Sequence, residues 1–237
     1  MKYFTPRILV RTIIWTNVLL FLVALIFSGS SLGFTLNPLH ALAPSFDVLI
    51  FLGGSGTIPI DKYDAWWSLL TANWLHGSLL HILFNMLALR TVAPLVINEF
   101  GMSRMFSIYT LTGAVGFYAS YLGQVPLTIG ASSGLCGLIG ALLYYGKSRG
   151  GEWGHLVFKQ TKAWIISLLL IGFLIPNINN WGHGGGLLAG IVLGWAMGYR
   201  EKRKERLGDH ILGTAMGLVT LALLIRTVLE GVRLIFF

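Results

Sequence analysis

The chain is 237 residues long and carries 17 Lys and Arg against 9 Asp and Glu, a formal net charge of +8, with 55% hydrophobic and only 11% charged residues. Soluble domains carry about 25% charged residues, so a water-facing globule is excluded; this apolar content also excludes disorder, and a single Cys excludes an internal disulfide scaffold. A mean hydropathy of +0.74 leaves an all-α, polytopic membrane protein.

A helix that crosses a bilayer takes roughly 20 mostly apolar residues. Segments 8–28, 75–96, 105–122, 132–145, 163–176, 183–199 and 211–229 answer to that description. The first is read as a retained helix rather than a signal peptide. Its apolar run is long, and Phe27-Ser28-Gly29 is a poor small-x-small cleavage site. The repeated ten-residue alternation of a membrane β-barrel is absent from the sequence.

Basic residues cluster at Lys2, Arg7 and Arg11, at Lys147, Arg149, Lys159 and Lys162, and at Arg200, Lys202, Arg203, Lys204 and Arg206. If every segment crosses, all three clusters fall on one side, which the positive-inside rule makes the cytoplasm. The run 200–206 is therefore a topology signal, and no nucleic-acid partner is expected. The long connection 29–74 then lies outside. Its Gly53-Gly54-Ser55-Gly56 is loop-like, and its Ala65-Trp66-Trp67 suits anchoring at a membrane interface. It is expected to fold into a partly embedded structure rather than a tether.

Polar groups within spans are costly and mark either function or helix–helix contacts. Asp and Glu stay outside the predicted spans, with Glu230 just past the last, which argues against a proton-coupled transporter. The second span contains His76, His81 and Asn85. The last two share a helix face and read either as an interhelical hydrogen-bond pair or as a polar lining. The fourth opens with Gly130-Ala131-Ser132-Ser133-Gly134. A serine at a helix start is either a simple N-cap or a nucleophile with backbone N–H donors beside it. The sixth opens with His183, followed by Gly186, Gly190, Gly194 and Gly198, a smooth stripe that admits a second backbone. Packed on the small face Gly134, Gly137 and Gly140 of span four, it would bring His183 to Ser132. Both begin even-numbered spans and so lie near the same outer end, with His81 at similar depth. No acid is available for a third member, so a Ser-His dyad is expected.

His76-x4-His81-x3-Asn85, Gly130-x-Ser132 and His183-x2-Gly186-x3-Gly190 together resemble the rhomboid intramembrane serine proteases. Order, spacing and placement on spans two, four and six agree over roughly residues 8–199. The resemblance implies a six-helix catalytic core over residues 1–199, with 29–74 as its first external loop. Residues 200–237 become a basic linker and an extra C-terminal transmembrane helix. It implies Ser132 as nucleophile, His183 as general base, and His81, Asn85 and the Ser132 N–H as oxyanion donors. His76, Gly130, Gly186 and Gly190 are supporting, with Cys136 and Gly140 as packing positions. No cofactor or metal is implied. The implied partners are membrane proteins with a transmembrane helix that unwinds near the outer leaflet, in the bilayer of a bacterial inner membrane. The sequence departs from the family pattern twice. Ser133 stands where the motif has glycine, and Ser68 follows Trp67 where the family often has Arg, putting a loop-fixing role there in doubt. The ungapped register, which keeps Gly137 and Gly140, selects Ser132. The rival readings are an inactive relative that binds transmembrane helices, and a transporter.

Overall fold

The structure is a computed structural model that describes residues 5–33, 41–175 and 178–236. Helix α1 (Pro6–Ser28) starts at Thr5, whose hydroxyl accepts from the Ile8 N–H, with Pro6 in the first helical turn, where its missing donor costs nothing. Among its described residues the connection after α1 folds into three short α-helices, α2 (Phe46–Phe51), α3 (Thr57–Tyr63) and α4 (Ser68–Thr71), and ends in a tight turn over Ala72–Trp74. Then come the long helices α5 (Leu79–Phe100), α6 (Met102–Leu122), α7 (Ser132–Arg149), α8 (Gly151–Leu174), α9 (Asn180–Met197) and α10 (Leu207–Phe236). Every predicted span thus has its helix, and the protein is an all-α polytopic membrane protein. Within the described residues, α1, α5, α8 and α10 are long and apolar enough to cross a membrane by themselves. Helices α6, α7 and α9 form the centre: α7 packs chiefly on α9, α6 and α8, and α9 on α7 and α6.

Glycines make that centre possible. A Cβ on Gly186 would strike the Ser133 carbonyl oxygen, one on Gly190 the Gly137 carbonyl, and one on Gly140 the Leu187 carbonyl. Gly134 and Gly137 face the other way and admit Tyr109 and Thr112 of α6. Gly198 is the exception to the predicted stripe. It ends α9 at a φ of 67°, and a Cβ there would meet nothing, so it serves as a turn residue.

Other boundaries differ from expectation. Helix α5 begins after Ser78, whose hydroxyl accepts from the His81 N–H, so His76 precedes the helix. Helix α7 runs on to Arg149, and α8 starts after Gly150 alone. Lys159 and Lys162 therefore lie on α8 rather than in a loop; amphipathic Lys side chains reach polar surroundings from such depth. Lys2 and Pro176, which mark the first basic cluster and the end of the fifth predicted span, lie outside the described residues, as do positions 34–40 of the external connection.

The end of the bundle that carries most of the basic residues is tied by long-range polar contacts. Arg149 pairs with Glu201 at 3.0 Å, and Lys202 donates to Ser148. The Arg104 guanidinium is fully buried and donates to the carbonyls of Gly198, Arg203 and Lys204 at 2.9, 2.8 and 2.7 Å, and to Asp209 at 3.0 Å. Glu205 accepts from the N–H groups of Ser103 and Arg104, capping the positive end of α6. At the opposite end Arg226 of α10 lies over the Trp67 ring at 5.2 Å. Gly231 lets α10 approach Phe27 and Leu52. The last helix thus braces both α6 and the connection between α1 and α5.

Two results are expected from these contacts. Gly190→Leu should destabilise the protein by at least about 1–3 kcal/mol through overpacking, whereas Gly184→Ala, whose Cβ would meet open space, should leave the thermal midpoint unchanged or raise it. Asp209→Asn should lower the midpoint sharply, because stranding one member of a buried ion pair costs about 3–5 kcal/mol.

Candidate active site

Ser132 is the first residue of α7. The preceding Gly130 holds a φ of 118°, in the region that favours glycine. A Cβ there would also collide with the His81 ring. The chain arrives through a short strap, residues 124–130, fixed to the connection between α1 and α5 by paired backbone bonds. Ser55 N–H donates to Thr128 at 3.0 Å and Thr128 N–H to Ser55 at 2.7 Å; Thr57 and Ile58 donate to Val125 and Pro126, and Gly130 donates to Ala72. Ser68 is fully buried and donates to Ser55, and Thr71 donates to the Gly53 carbonyl. Position 68 therefore does help to fix the loop, through a hydroxyl instead of a guanidinium.

His183 lies in the first turn of α9, whose N-cap Asn179 accepts from the Gly182 N–H. The close passage of α9 over α7 brings His183 Nε2 to 3.0 Å from Ser132 Oγ. Both residues are half-buried. With Nε2 accepting from the hydroxyl, the ring proton sits on Nδ1, a buried atom that has no partner among the described residues. Ser133 points elsewhere: it is buried, and its hydroxyl donates to the Gly182 carbonyl at 2.8 Å. The two serines thus make different contacts, Ser132 with the His183 ring and Ser133 with the α9 backbone.

His81 sits in the first turn of α5. Its Nδ1 accepts from the Gly77 N–H at 3.3 Å, so the neutral ring carries its hydrogen on Nε2, the edge that faces Gly130. His76, fully buried, packs edge-on against the His81 ring with centroids 5.0 Å apart. Asn85 is buried one turn below and donates to the His81 carbonyl at 2.9 Å. The structure therefore brings together Ser132, His183, Gly130 and His81. Asn85 is tied back to its own helix. Cys136 is buried beneath Ser132. At the α7 start the first backbone N–H to bond back is Leu135, onto Ala131; those of Ser132, Ser133 and Gly134 have no partner within the helix.

A hydroxyl in contact with an imidazole, on a helix start rich in N–H donors and next to a second imidazole donor, has the parts for nucleophilic attack on a carbonyl carbon. Sequence reasoning missed Asn179, Ser120 and Thr128, which surround the His183 turn. Asn179 ahead of a glycine-rich apolar run is an N-cap signal that would have found the first. The hydroxyls gave no signal.

Residues 63–200 match the family model of the Rhomboid domain. Among curated proteins, RHOMBOID-like protein 4 of Arabidopsis thaliana is 32% identical over 168 residues, 68% of this chain and 41% of that protein. Rhomboid protease GluP of Bacillus subtilis is 37% identical over 133 residues, 56% of this chain and 26% of that protein. RHOMBOID-like protein 5 of Arabidopsis thaliana is 32% identical over 164 residues, 66% of this chain and 52% of that protein. The chain thus spans between about a quarter and about half of the length of these relatives. The family match covers more than half of the chain, including the turns that carry His81, Ser132 and His183, and the chain belongs to the rhomboid family.

Proposed function

We propose that the chain is an intramembrane serine endopeptidase that cuts transmembrane helices through a Ser132–His183 dyad. The observation that carries this reading is the 3.0 Å contact between His183 Nε2 and Ser132 Oγ; membership of a family that includes a named protease supports it. Ser132 Oγ attacks the scissile carbonyl carbon while its proton passes to His183 Nε2. The resulting oxyanion takes hydrogen bonds from the Ser132 N–H and His81 Nε2, and from Asn85 once its free amide hydrogen turns toward the site. Collapse expels the amine, which receives the proton from His183, and leaves an acyl-serine. Water, activated by the same imidazole, then hydrolyses the ester and restores Ser132. His76 backs the His81 ring, and Gly130 lets that ring lie against the strap.

The substrate is a membrane protein whose helix unwinds near the site, since an intact helix hides its peptide carbonyls in its own hydrogen bonds. A Gly or Pro in the segment lowers the cost of unwinding by about 1–3 kcal/mol. We assign residues 1–199 to the catalytic core and 200–237 to the linker and seventh helix. On the charge asymmetry of the connections, the N-terminus faces the cytoplasm and the site opens to the outer side, in a bacterial inner membrane.

The test is cleavage of a single-span substrate by pure protein in detergent, with labelling by a fluorophosphonate probe. Ser132→Ala should lose both cleavage and labelling, while Ser133→Gly should keep both, with the adduct located on Ser132 by mass spectrometry. An adduct on Ser133, or a folded protein that binds helices without being labelled, would refute the reading. His183→Ala should abolish turnover, and the wild-type rate should fall on acidification, because a protonated imidazole cannot accept from Ser132. His81→Ala and Asn85→Ala should each lower kcat, by up to the 10²–10³-fold (about 2.7–4 kcal/mol) seen for loss of an oxyanion donor, with His81 the larger effect.

A further inference from the structure

The dyad joins side chains from two separate elements, and something must hold their separation. His183 follows Gly182, and a Cβ on Gly182 would meet Asn179 Nδ2 at 3.0 Å, Ser133 Oγ at 3.0 Å and Ser120 Oγ at 3.2 Å. This glycine is the centre of a polar knot. The Asn179 side chain uses every hydrogen-bonding group it has there. Its Oδ1 accepts from the Gly182 N–H at 3.0 Å. Its Nδ2 donates to Ser120 Oγ on α6 and to Thr128 Oγ1 on the strap, both at 2.6 Å. Ser120 in turn donates to the Gly116 carbonyl at 2.8 Å. Thr128 stands two residues before Gly130 and is locked to Ser55 through its backbone. One amide therefore links the turn that carries the imidazole to the strap that delivers the nucleophile. Ser133, the residue that replaces the motif glycine, adds its own bond from α7 to the Gly182 carbonyl.

We infer that Asn179 is a positioning residue for this site, acting through Thr128 and Gly182 to set the distance between Ser132 and His183. The inference rests on the proposed dyad. It goes beyond capping, since a serine at 179 still caps α9 but is too short to span to Ser120 and Thr128. Misplacement by about 1 Å costs about 10²-fold in rate, so the bridge should be felt in turnover more than in substrate binding.

Asn179→Ser and Thr128→Val should each lower kcat and the rate of fluorophosphonate labelling by about 10- to 100-fold, with KM within about twofold. The double variant should be no worse than the poorer single one, because both remove the same link. Thr128→Ser, which keeps the hydroxyl, should restore most of the activity. Thr128→Val preserves side-chain shape and carries the comparison if Asn179→Ser fails to fold. Folded variants with kcat within threefold of wild type, a change confined to KM, or losses that multiply in the double variant would overturn the assignment while leaving the dyad in place. A folded wild-type protein that neither cleaves nor labels would overturn both.

Discussion

Everything at this site depends on the contact of two backbones without side chains between them. Gly186 and Gly190 of α9 lie on the carbonyls of Ser133 and Gly137 in α7, and Gly140 returns the favour to Leu187. In a bilayer the lipid tails are as apolar as leucine, so helices gain association energy mainly from close packing and hydrogen bonds. A seam of glycines maximises both. It also holds the two helices at backbone contact over several turns, with Gly186, Gly190 and Gly194 of α9 on Ser133, Gly137 and Ala141 of α7. Ser132 and His183 sit at one edge of this seam, so the packing of the turns below brings their two helix starts together.

The connection between α1 and α5 does the complementary work. Irregular backbone packed inside the protein must find its hydrogen bonds there, and here it finds them in the strap. Ser55, Thr57, Ile58 and Ala72 bond to Thr128, Val125, Pro126 and Gly130. The same bonds deliver Gly130 to the His81 ring. The loop and the His81 side of the candidate site are therefore built together, and small polar residues such as Ser68 and Thr71 carry the load.

Much of this was legible in the sequence. The glycine register selects Ser132 over Ser133 as the candidate; in the structure Ser132 meets the His183 ring and Ser133 the Gly182 carbonyl. The seven helices were found from apolar runs, because length and hydropathy are local properties. What escaped was non-local. The start of α8 was misplaced because Gly151–Lys162 is polar enough to look like a loop, although it continues a helix whose inner turns pack on α7. His76 was assigned to a span because the N-cap signal of Ser78 ahead of Leu79 and Leu80 was outweighed by the apolar run on both sides of it. Gly198 fitted the stripe by spacing but serves a turn. The Asn179 knot joins residues whose partners lie about 50–60 positions away, as the pairs with Thr128 and Ser120 show, and single hydroxyls carry no periodicity.

The buried Arg104 has a consequence for assembly. Its partners are the carbonyls of residues 198, 203 and 204 and the carboxylate of Asp209, the last of them 105 positions further along the chain. Synthesis proceeds from the N-terminus at about 5–20 residues per second, so Arg104 waits about 5–20 s for its counter-charge to be made. Without that segment a guanidinium buried in the closed bundle would keep only the Phe100 carbonyl of its own helix at 3.5 Å, which is costly, and the α6 start would lack its Glu205 cap. The final packing at this end of α6 therefore depends on residues made about a hundred positions later.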